Sequence, residues 1–453
     1  FGKNSITGLN WNDAPNPRPD YYRYLPSYYY MQGDTLNGDI LKDNWKNNTN
    51  STQQVNWDRL IAMNQANLYS AQGFTNTSET RARYILENKI ENLQNYGFNT
   101  VLNKRLDNLF ISVGLNGNIY KNRKYKEVED LLGATFWIDV DQFAENLGVE
   151  SDFTQNDISN PDRKVKKGDK YGYDYSININ RAEVWGQAEY NFKAMDVYVG
   201  LTVSNSSIWR EGYLANGKFP TTSKGKSEKL NFLNYGFKGG LTYRLSGRHF
   251  LTGNISYLTR NPEANNVFIS PRVRNDLVQD VKSEKVLSMD ANYIVKYPGL
   301  KVRFTYYYTE INNQTWLRTF WHDTYNNNVN LIMRNLSQTH QGIELGIEKT
   351  LFTSHVIQGA LGYGQFLYNN RPTLEAWQDN NNTALFTDRT VYLKNFRVGG
   401  SPQLVSGIGY KYNGKKFWFA GLYFNYFDQI YLEANPDRRT EQAVDKYLSN
   451  ETE

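Results

Sequence analysis

Apolar residues recur at every second position over long stretches of the chain. Leu109, Ile111, Val113, Leu115 and Ile119 alternate with Ser112, Gly114, Asn116 and Asn118. Val197, Val199, Leu201 and Val203 alternate with Asp196, Gly200, Thr202 and Ser204. The same holds for Leu233, Tyr235, Phe237, Leu241, Tyr243 and Leu245 against Asn234, Lys238, Thr242 and Arg244. It holds again for Leu287, Met289, Ala291, Tyr293, Val295 and Tyr297 against Ser288, Asp290, Asn292 and Lys296. A period of two places one set on each side of a sheet and predicts half-buried strands rather than helices.

The connections alternate in length. Short turns are predicted near Asp107-Asn108, Lys193-Ala194, Ser246-Gly247, Lys296 to Gly299, Phe352-Thr353 and Asn413-Gly414, each joining two alternating runs as a hairpin. Between hairpins lie polar stretches over residues 120–174, 206–229, 261–284, 312–338 and 369–396. Short turns at one end and long loops at the other are the layout of a transmembrane β-barrel. The predicted fold is all-β, an antiparallel up-and-down barrel wall of about 13 strands, many longer than the ~9–11 residues that cross a bilayer. In the run before Lys193, Ala182, Val184, Ala188, Tyr190 and Phe192 share one face, while Arg181, Glu183, Gln187 and Glu189 share the other. A cation facing lipid costs up to ~2–4 kcal/mol at mid-membrane, so the charged face is expected to line the lumen.

Composition narrows the alternatives. The 453 residues carry 51 Lys+Arg against 46 Asp+Glu, a net charge of +5, too small a surplus to predict nucleic-acid binding. Cysteine is absent, which removes disulfides, thiolate metal sites and cysteine nucleophiles. His249, His322, His340 and His355 have no metal-ligand spacing, and no metal is expected. Hydrophobic residues are 39% of the chain without a run long enough for a membrane helix. Aromatic residues reach 15%. Tyr190, Phe192, Tyr243, Phe250, Tyr293, Tyr297, Phe304, Tyr410, Tyr412, Phe417, Trp418 and Phe419 bracket the short turns, as an interfacial aromatic belt would. A soluble or surface-attached β-rich carbohydrate- or peptide-binding module is the competing class; it predicts that Val199, Leu201, Phe237 and Leu241 pack against a second sheet. No phosphate loop, nucleophile elbow or dinucleotide fingerprint is present. No enzyme activity and no cofactor are expected.

Residues 12–54 form a predicted Pro/Tyr-rich loop, with Pro15, Pro17, Pro19 and Pro26 excluding a central strand. Its Arg18, Tyr21, Tyr22 and Arg23 can offer stacking and hydrogen bonds to a ligand. Alternatively, the loop packs its tyrosines on the barrel rim. Residues 126–147 are a candidate short loop helix. Trp45, Trp209, Trp316, Trp321 and Trp377 are assigned to loops, with Trp316 and Trp321 as ligand-binding candidates. Neither end of the chain carries a recognisable signal segment or closing strand, so an internal piece of a longer chain is expected.

The run Asp13-Ala14-Pro15-Asn16-Pro17-Arg18-Pro19-Asp20-Tyr21-Tyr22-Arg23-Tyr24-Leu25-Pro26-Ser27 resembles the barrel region of TonB-dependent receptors of the Bacteroidetes type. So do Val398 to Gln403, Asn425 to Tyr431 and Asn435 to Thr440, and Gln341-Gly342-Ile343-Glu344-Leu345-Gly346 is similar to a Gly-x-Glu strand of such barrels. The resemblance implies an outer-membrane barrel of about 22 strands around an N-terminal plug. In such proteins a periplasmic TonB protein pulls the plug to admit a bound glycan, peptide or metal chelate, often beneath a surface lipoprotein lid. Residues 1–453 would be part of one such barrel domain, with 120–174 as a long outer loop and no plug domain. No ligand residue of the family maps onto a numbered position. A passive porin-type channel is the remaining alternative, and the expected partners are outer-membrane lipid, an energy-coupling protein acting through a segment absent from this chain, and a lipoprotein lid.

Overall fold

The computed structural model describes residues 2–49, 52–71, 74–145, 151–322, 325, 327–378 and 384–445. Thirteen strands form the main path of one sheet: β1 (Gly2–Trp11), β2 (Tyr84–Leu106), β3 (Leu109–Asp130), β4 (Lys170–Asn191), β5 (Met195–Gly212), β6 (Leu230–Arg244), β7 (His249–Arg260), β8 (Glu284–Tyr297), β9 (Leu300–His322), β10 (Asn327–Leu351), β11 (His355–Tyr368), β12 (Pro402–Asn413) and β13 (Phe419–Ile430). Each pairs antiparallel with the next in sequence, an up-and-down meander. Shorter strands, including Thr373–Gln378 and Ala384–Thr390, hang from this path.

All six expected hairpins form, and their turns explain themselves. Pro298 presets one backbone angle and Gly299 takes φ 69°, the Pro-Gly pairing that a type II turn requires. Asp107 turns β2 into β3 at φ 46°. Phe352 and Thr353 between β10 and β11 both sit at positive φ, 50° and 62°, although neither is a residue that tolerates this region well.

The two faces of the sheet differ chemically. One register row runs across nine strands through Tyr190, Val197, Leu241, Gly253, Ala291, Tyr306, Ile343, Tyr363 and Leu404. Every member is apolar, aromatic or small. The face is also open: Val199 is 48% exposed, Leu201 65%, Phe237 44% and Leu241 45%. No second sheet covers them among the described residues, so the packing that a β-sandwich module demands is not met.

The adjacent row on the other face reads Glu189, Tyr198, Gly240, Asn254, Asp290, Tyr307, Gly342 and Gly364. Many polar groups of that face hydrogen-bond one another. Asn254 Nδ2 donates to Asp290 Oδ1 at 3.0 Å, while Arg303 Nε and Nη2 and Thr305 Oγ1 donate to Asn292 Oδ1 at 3.0, 2.7 and 2.7 Å. Lys301 pairs with Glu348 at 2.9 Å. Tyr307 lies across two glycines: a Cβ at Gly342 or Gly364 would come within 2.6 or 2.7 Å of its hydroxyl.

Aromatic residues cluster on the apolar face beside the short turns. His249 shares hydrogen bonds with the Tyr293 and Tyr297 hydroxyls at 2.7 and 3.0 Å, and His355 with Tyr410 at 2.7 Å. The expected belt is corrected at two positions. Phe250 pairs with Ile294, and Phe419 with Asn413, in the register of the polar face; they lie beside Lys296 and Lys411.

The long-loop end departs most from expectation. The stretch 120–174 contains the outer ends of β3, which runs to Asp130, and β4, which starts at Lys170. A short helix at Gln142–Glu145 lies within it. Most of the stretch 312–338 is strand: β9 occupies 312–322 and β10 327–338, within strands of 23 and 25 residues, with irregular register between Ile311 and Trp316. Trp316 and Trp321 are therefore strand residues, as are Trp209 on β5 and Trp377 on the strand Thr373–Gln378, while Trp45 lies in a helix over Thr35–Asn47. Beyond the apolar band the sequence loses strict alternation while the hydrogen-bond ladder continues. Among the described residues, the six buried apolar clusters all lie in these outer extensions and the loops on them, for example Val329, Leu331, Met333, Leu374 and Ala376, or Tyr175, Ile177, Ile208 and Phe268.

Candidate functional site

The loop-bearing end is assembled by buried polar keystones. Helix α1 (Pro26–Met31), helix α2 (Thr35–Asn47) and helix α3 (Trp57–Ala66) follow the Pro-rich run. The fully buried Asn64 on α3 donates Nδ2 to the carbonyls of Tyr84, Leu131 and Leu132 at 2.8, 2.9 and 3.1 Å. Its Oδ1 accepts the backbone N–H groups of Arg83 and Tyr84 at 2.8 and 3.0 Å. One side chain thus ties α3, the start of β2 and the end of β3 together. Tyr84 Oη donates to the Pro15 carbonyl at 2.8 Å, fixing the Pro-rich run to the wall.

The candidate ligand residues separate on this scaffold. The Arg18 guanidinium turns back over the Trp11 ring, 5.6 Å from its centroid. Tyr21 and Tyr22 meet edge to face at 4.8 Å, and Arg23 Nε donates to the Tyr22 hydroxyl at 2.9 Å. That guanidinium holds the Tyr22 phenol below its ordinary pKa. Tyr22 is 53% exposed. Trp316 packs half-buried on the Val329–Leu331–Met333 cluster, with Arg318 4.7 Å from its ring. Trp321, five positions further along β9, points to the opposite face and is 51% exposed. Seven strands of the path separate β9 from β1, so the Tyr21–Arg23 group and the Trp321 group do not form one cluster.

Two further sites were not anticipated. Asp280, Lys282, Thr315, Arg334, Asn335 and Asp388 line a polar cavity of about 380 Å³ where the 261–283 loop meets β9, β10 and the paired outer strands Thr373–Gln378 and Ala384–Thr390. Its sequence signal is modest: Asn313 and Asn335, both at positive φ, mark the bend in the β9–β10 pair. On the polar face, a groove of about 480 Å³ is floored by Gly346, Ala360 and Gly362 and edged by Arg303, Tyr307 and Glu344. The glycines were visible in sequence, but only register shows that they share a face.

No family model matches the chain, and no curated protein matches it. Among solved structures, the copper transporter OprC is similar at 13% identity with a TM-score of 0.52, over 77% of this chain and 45% of that one. The siderophore receptor PiuA from Acinetobacter baumannii is similar at 12% identity with a TM-score of 0.47, over 78% and 48%. The ferric-catecholate import receptor Fiu from K12 E. coli gives 10% identity and 0.45, over 76% and 46%. The chain spans a little under half the length of each. The likeness to OprC is one of fold: the antiparallel meander is part of an up-and-down β-barrel.

Proposed function

We propose that this chain forms part of the wall of a TonB-dependent receptor in a bacterial outer membrane, and that it takes up a ligand rather than catalysing a reaction. One observation carries the reading: a continuous apolar row lies exposed along nine strands, while the neighbouring row on the other face is polar and hydrogen-bonded. A wall between lipid and an aqueous or protein-filled lumen suits both. The fold likeness to OprC supports it, as does the resemblance of the Asp13–Ser27 run to receptors of the Bacteroidetes type. The ligand class under this reading is a glycan, a peptide or a metal chelate. Ligand capture falls to the outer loops, with Tyr21, Tyr22, Arg23 and Trp321 as contacts and Arg18 and Trp316 as supports. Passage follows the groove beside Arg303 and Glu344. Energy comes from a TonB-type protein acting through a plug outside this chain, and a surface lipoprotein lid is a further partner.

The test uses the full-length protein. Outer-membrane fractionation and a heat-dependent shift in gel mobility are the expected results; recovery as a soluble monomer without detergent overturns the reading. Capture of the detergent-solubilised protein by the periplasmic domain of its TonB partner is expected. Its absence in a protein that does fractionate with the membrane overturns the energised mechanism in favour of a passive channel.

A further inference from the structure

The short-turn end of the wall is strongly basic. The six turns, taken over residues 104–109, 191–196, 244–249, 296–301, 348–355 and 411–418, hold eleven Lys and Arg against three carboxylates, a net +8 in a chain whose total is +5. The rest of the chain is therefore net negative. Every turn contributes at least one cation. Two of the three carboxylates are engaged within the rim, Asp196 by Arg244 and Glu348 by Lys301. Lys104, Arg105, Lys193, Lys349, Lys415 and Lys416 are all exposed, and among the described residues their side chains make no ion pair, hydrogen bond or ring contact.

Register decides what kind of body can meet these charges. Lys104 shares the outward row of Ile111, Ala188 and Val199, and Lys349 that of Leu300, Ile357 and Tyr410. Arg105, in the row of Phe110 and Glu189, lies on the polar face. Lys193, Lys415 and Lys416 stand on turn tips between paired strands. Lipid headgroups encircle a wall and reach only the outward pair and the tips; a body lying across the end reaches all three sets. From β2 to β13 the rim has eleven strand spacings, an arc of roughly 50 Å. One small domain spans only ~30 Å, so an extended polyanion matches the arc better than a compact acidic protein. Phe352 and Phe417, exposed at two of the tips, offer flat apolar faces to sugar rings.

We propose that the short-turn rim docks onto the carboxylate-bearing glycan–peptide polymer of the cell wall, an assignment that rests on the transmembrane reading above. The short turns then face the compartment that holds this polymer. The unpaired lysines and Arg105 meet its peptide carboxylates, and the six turns act together because each adds a charge to one arc.

The experiment is co-sedimentation of the full-length protein, in nonionic detergent, with purified insoluble cell-wall sacculi. The protein is expected to pellet with them at roughly 20 mM salt and to stay in solution at roughly 300 mM, where the Debye length falls below about 10 Å. Lys193→Gln, Lys349→Gln, Lys415→Gln and Lys416→Gln together lower the bound fraction roughly tenfold. Lys42→Gln, Lys166→Gln, Lys224→Gln and Lys226→Gln, an equal loss of charge from exposed residues at the loop-bearing end, leave it unchanged. Sacculi whose carboxyl groups have been amidated no longer retain the protein. Gel mobility before and after heating confirms that each variant is folded. Binding that survives the rim variant or the amidation, an equal loss from the loop-end variant, or no pelleting at low salt overturns the inference. So does release from the sacculi by phosphatidylglycerol added to the micelles, which makes a lipid headgroup the occupant. A protein that fractionates with the outer membrane yet does not pellet removes this surface alone; a protein that never enters membranes removes the transmembrane reading itself.

Discussion

Tyr198 on β5 reaches across Gly240 on β6 to donate its hydroxyl to Asn254 Oδ1 on β7, at 3.0 Å. The bond spans three strands because Gly240 has no side chain. A Cβ there would come within 2.4 Å of Asn254 Oδ1, 2.5 Å of the Tyr198 ring and 2.9 Å of the Gly253 carbonyl. Gly240→Val is therefore expected to destabilise the wall by about 1–3 kcal/mol through overpacking. Gly239→Ala, on the apolar face, is expected to stay within about 0.5 kcal/mol. The temperature at which gel mobility shifts in detergent measures both.

Leu201 is among the most exposed apolar residues of the band. Leu201→Arg is expected to cost about 2–4 kcal/mol in lipid. Gln187→Arg, on the polar face beside Glu189, is expected to cost under about 0.5 kcal/mol. Urea unfolding in lipid vesicles compares them, and equal costs would contradict the assignment of faces.

Asn64 uses both its donor and acceptor atoms in the loop-bearing half. Asn64→Asp replaces the donating amide by an oxygen facing the Tyr84, Leu131 and Leu132 carbonyls. A loss of about 1–3 kcal/mol is expected. It is to be read as faster proteolysis of residues 52–71 and 131–145, with the wall's heat-dependent mobility retained.

Glu375 on the outer strand Thr373–Gln378 is fully buried, and neither carboxylate oxygen makes a hydrogen bond of normal geometry. Burial raises its pKa, against the opposing influence of Arg334 and Trp377. A raised folded-state pKa means that the docked strand holds the proton more tightly than an undocked one. Its stabilisation is complete below the ordinary carboxylate pKa and declines as pH rises through the elevated value. Trp377 fluorescence is expected to report loosening from acid towards neutral pH, and Glu375→Gln is expected to abolish that dependence.

Thr353 holds a positive φ despite its branched Cβ. Thr353→Gly is expected to stabilise the β10–β11 turn by about 1 kcal/mol, strain relief outweighing the added chain entropy. The readout is again the mobility-shift temperature.

The wall was largely legible in sequence and the loop-bearing half was not. A sheet with one apolar and one polar face forces alternation, so Val197 to Val203 or Leu233 to Tyr243 could belong only to strands, and the turns between such runs followed. Above the apolar band that constraint ends. Asn327 to Asn335 mixes Asn, Val, Leu, Ile, Met and Arg because Val329 and Leu331 pack into the buried cluster with the strand Thr373–Gln378. Around Trp316 and Trp321 no period of two marks the strand on which both stand. The proximity of Arg334 to Asp388 in one cavity arises from pairing across distant segments, which local sequence does not encode.

The clusters around Val329, Ile208 and Asn64 give the molecule a crown that obeys water's rules on a cylinder section that, under the proposed function, obeys the bilayer's. Dehydration of apolar surface holds the crown, so chaotropes and temperature should erode it with a sizeable heat-capacity signature. The ladder beneath, wetted by hydrocarbon on one side under that reading, gains little from that force. Evolution can therefore recast the crown's recognition chemistry while the cylinder stays intact.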